Sequence, residues 1–380
     1  MILQGDWIGH PGTQALCGAL EAAGFRALFV GGCVRNALLG EPVGDIDVAT
    51  DAMPETVSDI AQKAGFKVIP TGIDHGTVTV VAQGEPHEVT TFRRDVETDG
   101  RRAVVAFSSR IEEDAQRRDF TMNALYADRT GRVIDPLHGL PDLQARRVRF
   151  VGDAETRIRE DYLRILRFFR FHAAYGDPEG GLDAESFAAC AAFSAGLETI
   201  SKERITAELR KLLAARDPAP SVAAMAQSGV LAHVLPGADP RFLAPLVHLD
   251  QSEPPRWLRR LSVLGGETEA LRLSKAEARD LAALRAALGT GDSPAVLGWQ
   301  LGVALATDAI LAGAASFGSP PAPGWQPEVK RGARARFPVT AAELMPALQG
   351  AALGSRMKAL EARWLASNLS LGKDDLLKGA

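Results

Sequence analysis

Strand-like patterning in this chain ends near Asp135-Pro136, and from Ala154 to about Leu213, and again in later segments, apolar residues recur at the 3.6-residue period of a helix. That change of period separates a small mixed α/β part from a helical remainder. No internal repeat of fixed period accompanies it. Within the first part, residues 11 to 23 read as a helix closed by Gly24, and Arg26 to Val30 as a short buried strand stopped by Gly31-Gly32. Cys33 to Leu39 reads as a helix, Ile46 to Ala49 as a strand, Pro54 to Gly65 as a helix, and Gly76 to Ala82 and His87 to Phe92 as β-rich stretches. Arg93 to Arg110 is polar and poor in periodicity, which predicts a mobile loop. The Pro- and Gly-rich stretch Ser316 to Pro327 predicts a linker or a long loop.

At 380 residues the chain exceeds the usual single-domain size, so several packed domains are expected. Apolar runs such as Ala27 to Val30 are too short to span a bilayer, and the start of the chain, with Asp6 and no basic leader, lacks a signal-peptide pattern. The expectation is a cytoplasmic protein without a membrane association. Cys17, Cys33 and Cys190 are widely separated, which argues against a disulfide framework and a thiolate zinc site. The seven histidines show no metal spacing, and none is followed directly by aspartate. A net charge of −4 excludes a uniformly positive surface, but between Arg146 and Arg170 arginines outnumber acids. That stretch is the best candidate for an anionic partner, although charge alone favours a solvated helix face with local ion pairs.

Two glycines at a strand end, Gly31-Gly32, let the backbone approach a ligand closely, and the next helix presents unpaired N–H groups to a phosphate. Shortly afterwards comes Asp45-Ile46-Asp47, and on a strand the two-residue period sends both carboxylates to one face with Ile46 in the core. Such a pair repels itself unless cations neutralise it, and oxygen ligands of this kind suit magnesium. A bare DxD is more readily a pair of solvated acids; the neighbouring glycine turn gives it weight. Glu88 in HEVTTFR is the nearest candidate for a third carboxylate, if the strand register turns it to the same face. In EDAQRRDFTMNALYA, the paired Arg117 and Arg118 suit phosphate oxygens. In EDYLRILRFFRF, Asp161, Arg164 and Arg167 recur at three-residue steps, which predicts one helical face, while Leu163, Leu166 and Phe169 face the interior. An aspartate acceptor beside an arginine donor fits cytosine and adenine, whose exocyclic amine adjoins a ring-nitrogen acceptor; guanine and uracil reverse that pattern.

GGCVRNALLG followed by DIDVAT resembles the signature of the DNA polymerase β nucleotidyltransferase superfamily, in particular its class II tRNA nucleotidyltransferase and bacterial poly(A) polymerase branch. RRDFTMNA is similar to that family's second motif, EDYLR to its EDxxR template for selecting CTP and ATP, VIDPLHGLPDL to its head-exit motif, and SKERITAELRKLL to its ERIxxEL helix. Asn36 departs from the pattern, where Asp is usual. The resemblance implies an α+β fold: a small mixed-sheet nucleotidyltransferase head (1–137) followed by an all-helical neck that recognises the base (138–213), a body (214–315) and a tRNA-binding tail (316–380). It implies catalytic, metal-holding Asp45 and Asp47 with Glu88 as a further metal ligand, and nucleotide contacts from Gly32, Arg35, Arg117, Arg118, Asp119, Asp161, Arg164 and Arg167. The cofactor would be Mg2+, the partner tRNA and the substrates CTP and ATP, with no protein partner inferred. CCA addition to tRNA 3′ ends is the activity expected. The alternatives are a bacterial poly(A) polymerase, which shares every catalytic motif, and a non-catalytic RNA-binding module that retains the fold.

Overall fold

The computed structural model describes residues 1–70, 72–98 and 103–378, and the chain divides into two units: Met1–Glu208 with Gln227–Val234, and Leu209–Ala226 with the residues from Leu235 onward. The first unit opens with helices α1 (Asp6–Gly9) and α2 (Pro11–Ala22), then strand β1 (Leu28–Val30), α3 (Gly32–Leu39), β2 (Ile46–Thr50) and α4 (Pro54–Lys63). Strands β3 (Lys67–Ile69), β4 (Thr77–Ala82) and β5 (Glu85–Thr91) follow, and then β6 (Arg93–Thr98) and β7 (Ala103–Phe107). After α5 (Ile111–Gln116) come two short strands, β8 (Tyr126–Ala127) and β9 (Val133–Ile134). Seven strands form one mixed sheet in the order β3-β4-β5-β2-β1-β8-β9, in which β2 and β5 run parallel and the other pairs antiparallel.

Alternation along the strands sets the two faces of this sheet. Val78, Val80 and Ala82 of β4 and His87 and Val89 of β5 are buried on the side packed by α2 and α4. His87 is held there by a 2.8 Å hydrogen bond between its Nε2 and the Thr13 hydroxyl of α2. Pro54 opens α4, where its missing N–H costs nothing, and Glu55 complements the helix dipole. α3 is bounded by two glycines at positive φ, Gly31 (71°) before it and Gly40 (71°, left-handed) after it, which makes the helix short and its entry sharp.

The region expected as a mobile loop, Arg93 to Arg110, is largely a hairpin: β6 pairs antiparallel with β7, with an irregularity between Asp95 and Glu97. Charged residues dominate β6, and they mask the period-two signal of a strand that forms its own two-stranded sheet. Residues 99–102 of that expected loop lie outside the described residues.

The helices that follow are α6 (Leu140–Gln144), α7 (Ala154–Glu160), α8 (Leu163–Tyr175), α9 (Ala184–Ala192) and α10 (Lys202–Leu213), whose last residues belong to the second unit. Asp153 caps α7 by accepting from the Thr156 N–H at 2.8 Å. Leu163, Leu166 and Phe169 of α8 are buried, as their spacing predicts. Phe120 packs against both Phe150 and Phe171, with ring centres 5.0 and 4.9 Å apart, and so ties the segment after Asp119 to α8.

Further along are α11 (Ala219–Gln227), α12 (Val230–Val234), α13 (Leu243–Leu249), α14 (Trp257–Leu264), α15 (Lys275–Ala287), α16 (Pro294–Phe317), α17 (Trp325–Arg334), α18 (Gly350–Ala366) and α19 (Lys373–Leu377). Among the described residues α16 is one helix long and apolar enough to cross a membrane. Half of it is buried in protein, Gly302 interrupts its helical dihedrals at φ 73°, and fully buried Asp308 meets Arg259 at 2.8 Å, which is the pattern of a core helix. Of the stretch expected as a linker or long loop, Ser316 to Pro327, both ends are helical and only residues 318–324 join α16 to α17, which pack closely on each other. A Cβ at Gly298 would stand 2.2 Å from the Val329 carbonyl oxygen, and one at Gly332 only 1.8 Å from that of Ala295.

Candidate active site

β2 sets the acidic residues. Ile46 and Val48 are buried, and Asp47 between them points to the opposite, more open face. Asp45 lies in a bend just before the strand. Across the parallel pair, Asp47 stands directly opposite Glu88 of β5, and Glu88 is exposed between buried His87 and Val89. The register therefore brings Glu88 to the face of Asp47. Burial, and next the negative charge of Glu88, push the Asp47 carboxyl up to about 6, with Asp45 adding to the effect and Arg118 opposing it.

Asp47 and Glu88 share one face, with Asp45 close enough to add to the repulsion, and such carboxylates destabilise one another's charge unless something positive joins them. Among the described residues no three His, Cys, Asp or Glu side chains are grouped so that they could hold a metal ion by themselves. An open acidic face of this kind fits a hard divalent ion that keeps part of its water and takes substrate oxygens as further ligands.

Beside the acids lies the glycine turn. Arg118 leans against it so closely that a Cβ at Gly31 would sit 3.3 Å from the Arg118 Nη1 atom. Arg117 and Arg118 are both oriented by Asp114, a residue that the sequence reading did not single out. Asp114 is 1% exposed and accepts from Arg117 Nε at 2.9 Å, Arg118 Nη2 at 3.0 Å and the Tyr126 hydroxyl at 2.7 Å. Burial alone would raise its carboxyl, but Arg118 and Arg117 hold it below the usual range. Its signal is legible in retrospect, since Asp114 of α5 stands three and four residues before the two arginines that follow the helix.

The same arginines are also fixed from behind. Arg157 of α7 is buried and donates to the main-chain carbonyls of Arg117 and Arg118, the latter at 2.9 Å, and it pairs with Glu160. Asp119 turns away from them. Its Oδ2 accepts from Arg167 Nε at 2.8 Å, and its Oδ1 accepts from the Asn123 amide and the Phe120 N–H, each at 2.9 Å. Burial would raise the Asp119 carboxyl, and Arg167 holds it below the usual range.

The expected single face of Asp161, Arg164 and Arg167 is corrected by the backbone. α7 ends at Glu160 and α8 begins at Leu163, so Asp161 lies in the break with extended dihedrals. There its Oδ1 accepts from the Leu163 N–H at 3.1 Å, the local capping bond that makes aspartate better in a helix break than in a helix. Its Oδ2 accepts from Arg204 of α10 at 2.7 Å, while Arg164 pairs with Glu160 and donates to the Arg157 carbonyl at 2.8 Å. Asp161 and Arg164 are thus neighbours that each hold a different partner.

Arg35 lies beside the glycine turn, and its buried guanidinium donates to Asn36, Asn123 and Tyr175. Gly32 opens the first turn of α3 directly after Gly31. Tyr175 and Arg204 escaped the sequence reading because both act on partners far away in the chain, and no local spacing announces them.

Two family models match the chain: a poly(A) polymerase head domain over residues 27–149, and a probable RNA and SrmB-binding site of polymerase A over residues 181–242. A CCA-adding enzyme of Streptococcus pyogenes serotype M2 (strain MGAS10270) is 46% identical over 198 residues, 52% of this chain and 48% of that protein. One of Geobacillus thermodenitrificans (strain NG80-2) is 39% identical over 285 residues, 74% of this chain and 64% of that protein. The chain thus spans about half the length of the first of these relatives and less than two thirds of the second. A crystal structure of the Bacillus stearothermophilus CCA-adding enzyme in complex with CTP shares 31% identity and a TM-score of 0.74, covering 94% of this chain and 92% of that one.

Proposed function

The chain belongs to the family of the CCA-adding enzymes, and on that footing we propose that it adds C, C and A to tRNA 3′ ends from CTP and ATP without a nucleic-acid template. The observation that carries this reading is the meeting of Asp47, Glu88 and Arg118 beside the Gly31 turn: metal-type acids and a phosphate-type arginine at one helix entry. In this reading Asp45 and Asp47 hold divalent cations, which we take to be magnesium, with Glu88 as the candidate third ligand. Those cations, when bound, help deprotonate the attacking 3′ hydroxyl and offset charge on the leaving oxygen. Gly31 and Gly32 let the triphosphate approach the start of α3, while Arg117 and Arg118, held by Asp114 and Arg157, offset its charge.

Base choice falls to Asp161 and Arg164, with Arg167 and Asp119 in support. A cytosine or adenine amine that pairs with Asp161 displaces Arg204, a half-exposed partner whose ion pair is worth at most about 1 kcal/mol. The helical second unit would hold tRNA by shape and phosphate contacts. The compartment in this reading is the cytoplasm, and no protein partner is required.

The test offers the purified protein a tRNA transcript ending before CCA, with magnesium and labelled CTP and ATP, separately and together. Extension by C, C and then A is the expected result. Long A tracts on generic RNA would transfer the assignment to polyadenylation, and no incorporation at all to an RNA-binding module.

A further inference from the structure

Arg35 is a guanidinium on which three functional segments meet. It sits on α3 just past the glycine turn and is 6% exposed. Its Nη1 donates to Asn123 Oδ1 at 2.6 Å, in the turn that follows Arg117-Arg118-Asp119. Its Nη2 donates to the Tyr175 hydroxyl at 2.7 Å, in the last turn of α8, and to Asn36 Oδ1 at 2.8 Å. The guanidinium carbon stands 4.0 Å from the centre of the Tyr175 ring and 5.1 Å from that of Phe171.

Both amide partners pass the connection on. The Asn36 side-chain amide donates to the Pro42 carbonyl at 2.8 Å, in the segment that delivers Asp45; a carboxylate at this position could not make that bond. The Asn123 amide donates to Asp119, and Asp119 accepts from Arg167 on α8. A continuous hydrogen-bonded path therefore runs from Pro42 through Asn36, Arg35, Asn123 and Asp119 to Arg167, and Tyr175 anchors its middle to the same helix.

We infer that Arg35 is a positioning residue that fixes the segment leading to Asp45 and Asp47 against the base-reading helix α8, so that a base accepted on α8 is presented at the reaction centre. The inference rests on the proposed function for its catalytic part. Arginine suits the task because one rigid, always charged fork can serve acceptors from several segments at once, which a lysine ammonium on a flexible stem cannot do. Loss of one acceptor leaves a buried donor unmatched, so small changes at its partners propagate.

Tyr175→Phe tests this with the least disturbance, because it removes the hydroxyl and keeps the stacked ring. Two measurements are made on the full chain: kcat and KM for CTP and UTP on a tRNA ending before CCA, and amide hydrogen exchange of residues 36–47 and 119–123 in the protein alone. The preference for CTP over UTP should fall about fivefold, chiefly through a higher KM for CTP, and exchange in both segments should quicken. Combining it with Arg167→Lys should cost less selectivity than the two single losses multiplied, since both cut one path. A lower thermal midpoint with unchanged selectivity and unchanged exchange would reduce Arg35 to ordinary packing and overturn the inference. If the unaltered protein itself fails to prefer CTP, the functional reading falls, and exchange alone decides the tie: faster exchange in Tyr175→Phe upholds it, unchanged exchange overturns it.

Discussion

In the first unit Arg118, Arg164 and Arg167 keep 15 to 31% of their side chains exposed, and carboxylates on one side hold each of them. In the second unit Arg259 and Arg260 are 1% exposed and share Asp250; Arg259 also takes Asp308, and Arg260 donates to the main-chain carbonyls of Leu213, Ala215 and Arg216. The residue type is the same and the chemistry differs. A carboxylate partner at a half-open guanidinium leaves donors that a phosphate or a base can join. Main-chain carbonyls at the end of α10 cannot be exchanged, so the second cluster works as a clamp. Burial raises the Asp308 carboxyl even with Arg259 and Arg256 lowering it, a sign of how strongly desolvation governs that interior.

Four variants can break or sharpen this contrast. Asp47→Asn should lower nucleotide incorporation by about a thousandfold or more, the equivalent of several kcal/mol of transition-state stabilisation, while leaving the thermal midpoint unchanged or slightly higher. The midpoint should hold because the change relieves repulsion from Glu88 and Asp45. A rate loss matched by an equal loss of stability would erase the distinction between grip and clamp. Asp308→Ala should do the reverse, costing about 3–5 kcal/mol in urea denaturation because Arg259 is left buried without its closest carboxylate. Stability within 1 kcal/mol of the unaltered protein would mean that the cluster clamps nothing.

Smaller effects are expected at the half-exposed pair. Asp161→Ala should reduce the preference for CTP over UTP about tenfold, and more than it reduces overall turnover; a trace of activity with full selectivity would remove Asp161 from base reading. Arg204→Ala should lower the KM for CTP about twofold by freeing Asp161, with a stability change of less than about 1 kcal/mol, since the pair is exposed. A higher KM would turn Arg204 from competitor into support.

Much of the site was legible where chemistry and local period coincide. The two-residue alternation that buries Ile46 and turns Asp47 outward is a property of any strand, and the glycines before α3 announce its entry. The helix break at Asp161 was not legible, because the three-residue spacing of Asp161, Arg164 and Arg167 is equally that of an unbroken helix. The capping bond to Leu163 decides the matter, and it depends on a backbone angle that spacing does not encode. Strands β8 and β9, two residues each, exist through pairing with β1 and with each other and carry no pattern of their own. The partners of Arg35 illustrate the widest gap, since Asn123 and Tyr175 follow it by 88 and 140 residues.

The crossing of α16 and α17 depends on atoms that are missing. At Gly298 and Gly332 the facing backbone already occupies the space where a methyl would go, so each position tolerates hydrogen and nothing larger without the helices parting. Selection acting there would be blind to charge and polarity. A substitution at either position is therefore excluded by shape alone, whatever its charge or polarity.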